Sequence, residues 1–506
     1  MEAFSAILLT DLRYLITDLG TNGGQISPSV YNTAQVIRYH PPEESLWPAI
    51  NWLLSQQHPD GGWGSPAMPL ARDVPTLAAI LAINTYCTRR DARAAMQQGL
   101  LFLRLQSAQW NGAVPNDIPV ATELILPRLL HDAAEANLSV PPPPIYAALR
   151  NLGERRARLI QQVAPLGGTT ASHSWEAWGS VANPALLDES GGVGHSPAAT
   201  AAWLAAAADR PQLIAERAAA AAYLTRSEAA TGLNIPGVVP GVWPYPRNEQ
   251  IVSLFVLLLG GLLEEEALRE PLRAQIDNMW HGMRPEGQGI SDSFTADGDI
   301  TAMAFAVAHH SGYQPDVAIL QRFIVDSRCL TYRQELQHSL SATAHAAHAL
   351  SILGGNPNPL LDYLCNERTI EHIWAGDKWH ASWTYITGHT ISALLAAGRH
   401  EEARMALPTL IDHQYVDGSW GVRAASDEET ANITLALLDL DRHGLLDKAG
   451  QTALRNAGHW LMTNYRPFAE PTGECWIGKE LYRPRRIARV LYLSALLGCV
   501  RRGYTL

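Results

Sequence analysis

Two octapeptides, one early and one late in the chain, share the form Gln-x-x-Asp-Gly-x-Trp-Gly: Gln57-His-Pro-Asp-Gly-Gly-Trp-Gly64 and Gln414-Tyr-Val-Asp-Gly-Ser-Trp-Gly421. Looser relatives stand at Gln109-Trp-Asn-Gly112 and Glu189-Ser-Gly-Gly-Val-Gly194. A turn used repeatedly between apolar segments means that one supersecondary unit is stacked on copies of itself. Glycine supplies the positive φ, the Asp is expected to cap the following helix, and the Gln amide and Trp ring can bridge neighbouring helices. The segments between the turns are helical in spacing: Asp73–Cys87, Ser196–Ala208 and Thr301–His310 place small and apolar residues on a 3.6-residue period. Long alternating strand patterns are missing, and helix starts at Ser, Thr or Asp and stops at Gly, Pro or Asn recur. The fold class is all-α.

At 506 residues the chain exceeds the roughly 250–300 at which one core stops growing, so two domains are expected. With 47% hydrophobic residues, 15 Trp and 16 Tyr, there is material for large cores, which excludes an extensively disordered chain. A net charge of −11 argues against a nucleic-acid surface, which needs clustered Lys and Arg. Five cysteines, scattered and without a CxxC pair, suggest neither a disulfide framework nor a zinc site and fit a cytoplasmic setting. No stretch reaches the ~18 apolar residues of a membrane span. The longest apolar run, Ile251 to Leu263, is broken by Ser253, Gly260 and Gly261 and reads as a buried core helix, so no stable membrane insertion is expected.

Chemistry concentrates in Ser293-Phe-Thr-Ala-Asp297-Gly-Asp299-Ile-Thr301-Ala-Met-Ala-Phe305. Two carboxyl groups this close, in an apolar and small-residue setting, resist carrying two negative charges; burial and like-charge repulsion both raise a carboxyl pKa, by up to ~3–5 units when fully buried. One Asp that stays protonated near neutrality is a Brønsted acid. The alternative from the same residues is that Asp297 and Asp299 cap the helix beginning near Thr301.

The repeats, taken with Ser196-Pro-Ala-Ala-Thr200, Asp377-Lys-Trp-His-Ala-Ser382, Trp476-Ile-Gly-Lys-Glu-Leu-Tyr482 and Ser29-Val-Tyr-Asn-Thr-Ala34, resemble the bacterial class II terpene cyclases of the copalyl and halimadienyl diphosphate synthase type. The likeness covers nearly the whole chain. It implies two α/α-barrel domains, named β and γ in that family, with γ inserted at about 42–232 and β made of 1–41 and 233–506; the Gly/Pro-rich stretch 232–246 is the return crossing. The Asp297 segment is similar to the family's Asp-x-Asp-Asp-Thr-Ala motif, whose middle Asp protonates an alkene or epoxide. Carried over, Asp299 is the general acid and Asp297 its hydrogen-bonding neighbour, with Ile300 in place of the last Asp and Asn32 where Asp is usual in the Ser29 element.

Further roles follow from the same resemblance. Aromatic faces stabilise a carbocation without trapping it, and Trp175, Trp243, Phe294, Trp383 and Tyr385 flank the family-like motifs. An allylic diphosphate needs cations or Mg²⁺ at a distance from the acid. Lys378 in the Asp-Lys-Trp motif and the basic cluster of Lys479, Arg483, Arg485, Arg486 and Arg489 are the candidates, with Arg485 and Arg486 more readily explained as solvated surface. Pro119-Val-Ala-Thr-Glu123 resembles a segment that follows an acidic Mg²⁺-associated stretch in plant relatives; here Asn116 and Asp117 stand for that stretch, and Glu123 is the metal candidate, against the alternative of a helix salt bridge. His173, in Thr169-Thr-Ala-Ser-His-Ser-Trp-Glu176, resembles a catalytic-base histidine of plant copalyl diphosphate synthases, against the alternative of a satisfied core histidine; Gly241 stands where those relatives carry Asn, with Asn234 nearby. The chain has no Asp-Asp-x-x-Asp motif, so the diphosphate is expected to survive into the product.

The resemblance implies protonation of geranylgeranyl diphosphate and closure of a bicyclic labdane, halimadane or clerodane diphosphate, with Mg²⁺ as cofactor. The alternatives are a farnesyl diphosphate cyclase giving a drimenyl-type product and a catalytically silent α/α-barrel scaffold. The implied partners are the isoprenoid diphosphate substrate and a downstream class I synthase or phosphatase that takes the product. A monomer and a homodimer fit the sequence equally.

Overall fold

The structure, a computed structural model, describes residues 2–505 apart from 44, 87, 111–113, 116–117, 164–165, 334 and 336–337. Of the residues singled out in the sequence, Cys87, Gly112, Asn116 and Asp117 lie outside the described residues.

Among the described residues, six helices close a ring. Pro246–Leu259, Gly298–His310, Leu340–Ile352, Trp383–Ala396, Asp427–Arg442 and Arg485–Arg501 pack each on the next, and the last returns to the first. Outer segments such as Arg269–His281, Asn358–Asn366 and Lys448–Asn464 run back between them, so the inner helices point the same way and their N-termini share one end. The sequence explains which helices go inside. From Leu340 to Leu350 every side chain is buried, and five of those residues are Ala, so this helix can be surrounded and approached closely on all sides. The inner N-termini are held by short polar side chains: Asp297, Ser339, Ser382 and Ser426 each accept a backbone N–H from the first turn.

A second, smaller ring is built from Val30–Tyr39, Asp73–Tyr86, Thr122–Glu135, the short Trp175–Trp178 and Pro197–Ala206, with Trp47–Ser55, Arg90–Gln106, Ala147–Val163 and Ile214–Glu228 outside. The N-terminal helix Glu2–Asp18 packs instead on the outside of the larger ring, against Arg485–Arg501 and Arg269–His281. By packing, the chain enters the smaller body before Val30, one helix earlier than residue 42. Val30, Tyr31, Ala34 and Ile37 all face its core. We place the crossing at residues 19–29, with the return at 232–246.

The recurrent turn works as its residues suggest, with one correction. Gln57 Nε2 donates to Gly61 O and Ala95 O, both at 2.8 Å, and Trp63 Nε1 donates to Leu53 O at 2.7 Å. Gln414 and Trp420 repeat this on Gly418, Ala453 and Leu410. Gly61, at φ 89°, sits so close to Gln98 O that a Cβ would lie 2.6 Å from it. The Asp does not cap the following helix. Asp60 accepts from Gly62 N at 3.1 Å and Asp417 from Ser419 N at 3.0 Å, closing the turn on itself.

Polar contacts lock the two bodies together near the shared end. Thr295 N donates to Gly168 O at 2.8 Å and Val120 N to Gly478 O at 2.8 Å. Asn32, the departure from Asp, uses both ends of its amide: Nδ2 donates to Ser29 Oγ at 2.9 Å and Oδ1 accepts from Ala198 N at 3.1 Å. Among the described residues no helix is long and apolar enough to cross a membrane.

Candidate active site

The two aspartates divide the readings open to them. Asp297 is the helix cap: its Oδ1 accepts the N–H of Ile300 at 2.6 Å, and its own N–H is held by Gln288 O at 3.0 Å. Burial, and then the adjacent Asp299 charge, push the Asp297 carboxyl well above the usual carboxylate range. Gly298 is required between them, because a Cβ there would lie 2.5 Å from Leu330 O and 2.9 Å from Cys329 Sγ. Ile300 packs into the large hydrophobic core.

Asp299 does not cap. Its carboxyl, with a side chain 15% exposed, reaches across to the next inner helix, where His345 Nδ1 lies 2.5 Å from Oδ1. His345 Nε2 in turn lies 2.7 Å from Nδ1 of His389, one helix further round the ring. Phe255 closes the far side, edge-on to His345 with centroids 5.1 Å apart. Asp377, of the Asp-Lys-Trp motif, serves this arrangement from below: it accepts from Ser341 N and Ser341 Oγ, both at 2.9 Å, and from Ser339 Oγ at 3.1 Å, anchoring the first turn of the His345 helix.

An aromatic wall surrounds Asp299. Tyr385 stacks on His380 at 4.3 Å and lies 4.2 Å from His389, 5.6 Å from Trp476 and 6.2 Å from His345. Phe294, Tyr332 and Trp379 continue it edge to face at 6.4 and 6.2 Å. The Asp297 and Asp299 charges both raise the Tyr332 hydroxyl pKa, after burial. Of the five aromatic candidates from sequence, Phe294 and Tyr385 belong to this wall. Trp175 and Trp243 do not: both are buried in the core of the smaller body, Trp243 against Tyr223 at 5.4 Å with its Nε1 on Asn22 O. Trp383 packs on His413 at the start of its helix.

The basic candidates also separate. Lys378 pairs with Glu335 and lies over the Trp379 ring at 4.7 Å; burial, and then the charge of Arg156, bring its ammonium down to about 7, opposed by Glu123. Arg156 is itself held by Glu123 at 2.6 Å. Lys378, from the larger body, and Arg156, from the smaller, are thus near enough to feel each other's charge, each held by its own carboxylate. Lys479 is occupied elsewhere: its fully buried ammonium donates to Glu176 Oε1 and Ser196 Oγ, both at 2.6 Å, a clamp between the bodies rather than a free phosphate ligand. Arg483 is spent on Gly473 O and lies near Glu470.

Glu123, the metal candidate, is buried against Arg156. Among the described residues no three His, Cys, Asp or Glu side chains converge on one point. These donors do not fit a Mg²⁺ site by themselves.

His173 Nδ1 lies 2.7 Å from Gly194 O. Because a carbonyl only accepts, Nδ1 carries the proton and Nε2 keeps its lone pair. Burial, and then Lys479, lower the ring to about 3, so it is neutral across the physiological range.

Sequence reasoning missed His345, His389, His380 and Tyr332. A signal existed for the first two: His345 and His389 are imidazoles inside otherwise small or apolar helical runs, where an unpaired polar ring is costly. What no local pattern shows is that the two converge on Asp299.

No family model matches the chain. A (+)-kolavenyl diphosphate synthase from Herpetosiphon aurantiacus is 44% identical, over 98% of this chain and 98% of its own length. A type B diterpene cyclase from Mycobacterium tuberculosis is 29% identical over 94% of this chain and 96% of its own. Among solved structures, ent-copalyl diphosphate synthase from Streptomyces platensis superposes with a TM-score of 0.81 at 27% identity, over 98% of this chain and 99% of that one.

Proposed function

The chain belongs to the class II diterpene cyclases, and on that premise we propose that it converts geranylgeranyl diphosphate into a bicyclic diphosphate of the kolavenyl type, with the diphosphate retained. The observation that carries this reading is Asp299: a carboxyl hydrogen-bonded to His345 on one oxygen, partly open, and walled by aromatic rings.

In this reading the proton leaves Asp299 for the less substituted carbon of the distal alkene, and the dimethyl-substituted carbon becomes the tertiary cation. Internal double bonds attack in turn, closing two rings and moving the positive charge along the skeleton. Tyr385, Tyr332, Phe294 and Trp476 face that charge with ring electrons, each contributing about 0.5–2 kcal/mol. A final C–H proton goes to a base, for which His173 Nε2 is the candidate. Reactant and product are isomers, and Asp299 must regain one proton per turnover. The phosphates fall to Lys378 and Arg156, released from Glu335 and Glu123. We assign Mg²⁺ no protein ligand and route no step through it.

Incubating the purified protein with geranyl, farnesyl and geranylgeranyl diphosphates, followed by phosphatase treatment and product analysis, tests the reading. A bicyclic C20 alcohol seen only after phosphatase is the expected result. A C15 drimane product moves the substrate to farnesyl diphosphate, and hydrocarbon formed without phosphatase overturns diphosphate retention.

A further inference from the structure

With Asp299 protonated, as its proposed role requires, and both rings neutral, the Asp299, His345, His389 chain has two ways to run, and they differ in where the acid's proton sits. If His389 Nδ1–H donates to His345 Nε2, then His345 is protonated on Nδ1 and donates to Asp299 Oδ1. The carboxyl proton is left to Oδ2, which makes no hydrogen bond among the described residues. If the chain runs the other way, Asp299 spends its proton on His345 Nδ1, and His389 must carry its proton on Nε2.

The surroundings of His389 choose between them. Its ring lies between Tyr385, at 4.2 Å, and Phe255, stacked at 6.0 Å and 19°. Among the described residues its Nε2 has no hydrogen-bond acceptor. On this ring, 5% exposed and set between two aromatic side chains, an N–H on Nε2 would have no protein acceptor while an Nε2 lone pair needs no donor, which favours the tautomer with the proton on Nδ1. Burial, and then the charges of His345, His380 and His348, hold the ring well below the usual imidazole range, so it does not donate from both nitrogens.

We infer that His389 is a positioning residue for the acid: by donating to His345 Nε2 it fixes the His345 tautomer that donates to Asp299 Oδ1, which keeps the acid's own proton on Oδ2, available to the alkene. This rests on the reading of Asp299 as the proton donor. His389 touches no reacting atom; it sets the direction of the chain.

Three measurements on the full chain test it. The variant His389→Leu removes the donor, while His389→Asn places an amide N–H near the position of Nδ1. The Leu variant is expected to lose about tenfold or more in kcat with KM within about twofold, and the Asn variant to recover most of that loss. A Leu variant with full kcat overturns the inference, as do Leu and Asn variants equally impaired, since a packing role would not distinguish them. The third measurement needs no substrate: ¹⁵N chemical shifts of the His345 ring, assigned through His345→Gln, should show a proton on Nδ1 in the native protein and its movement to Nε2 in His389→Leu. A native ring protonated on Nε2 overturns the inference even in an active enzyme. A native protein that turns over no isoprenoid diphosphate refutes the proposed function while the shifts still decide the tautomer.

Discussion

The carboxylate of Asp377 receives the backbone N–H of Ser341 at 2.9 Å, so a loop residue holds the first turn of the helix on which His345 stands one turn further along. Asp377 also takes Ser341 Oγ, Ser339 Oγ and Trp379 N. The Asp-Lys-Trp motif thus has two jobs: its Asp braces the helix whose His345 contacts Asp299, and its Lys lies toward Arg156 of the neighbouring body. Asp377→Ala strips several donors of a buried acceptor at once, which should cost roughly 1–3 kcal/mol of stability. It should also lower kcat more than KM, because His345 loses its fixed position. A thermal melt beside steady-state kinetics checks both; an unchanged kcat at a lowered melting temperature would confine Asp377 to stability.

Asp299→Asn should abolish turnover with the fold intact, because an amide fills the same space but is far too weak an acid. Asp297→Asn should do less harm to catalysis, since its amide oxygen still accepts the Ile300 N–H that begins the helix. Product analysis with a thermal melt on each variant separates the two. Near-normal cyclisation by folded Asp299→Asn would remove Asp299 from the role.

How much of this was legible in the sequence depends on how local the cause is. The Ala-rich inner helices, their Ser and Asp caps and the Gln/Trp turns are set by residues within one or two turns of each other, and sequence reading finds them. The Asp297-Gly-Asp299 segment is equally local, though only packing shows why Gly298 must be glycine: Leu330 O lies where its Cβ would go. The partners of Asp299 come from helices far along the chain, so spacing carries no sign of the pairing. Trp175 and Trp243 stand apart from the aromatic wall around Asp299 for the complementary reason. Standing beside a family-like motif says nothing of the direction in which a large ring packs, and both rings fill the smaller body's core. Lys479 likewise looked free in sequence because its partner, Glu176, belongs to the other body.

Lys378 and Arg156 are each held by a carboxylate of their own body, Glu335 and Glu123, so on the proposed reading the diphosphate displaces an existing partner to bind. Lys378→Met should therefore raise KM by about tenfold while kcat falls less than threefold, the pattern expected when the interaction is equally strong in ground and transition states. Steady-state kinetics with the substrate of the native enzyme decide this. A fall in kcat at constant KM would place Lys378 with the reacting end rather than the phosphates.

His173 distinguishes a base from a core histidine by two independent readouts. Its Nε2 lone pair is available and its proton is committed to Gly194 O, so His173→Ala should still consume substrate, protonation at Asp299 being untouched, but shift the product toward a hydroxylated or differently rearranged diphosphate. The second readout is stability against pH. The folded ring is held to about 3 and the unfolded ring titrates near 6.5, so below 6.5 the unfolded chain takes up a proton that the folded chain resists. The stability associated with this ring is present in full above about 6.5 and is lost progressively as pH falls toward 3. In His173→Gln that part of the acid sensitivity should vanish, leaving a flatter melting temperature between pH 6.5 and 4. An unchanged product from His173→Ala, together with the flattened profile in His173→Gln, would make His173 a core histidine and leave the final deprotonation to another group.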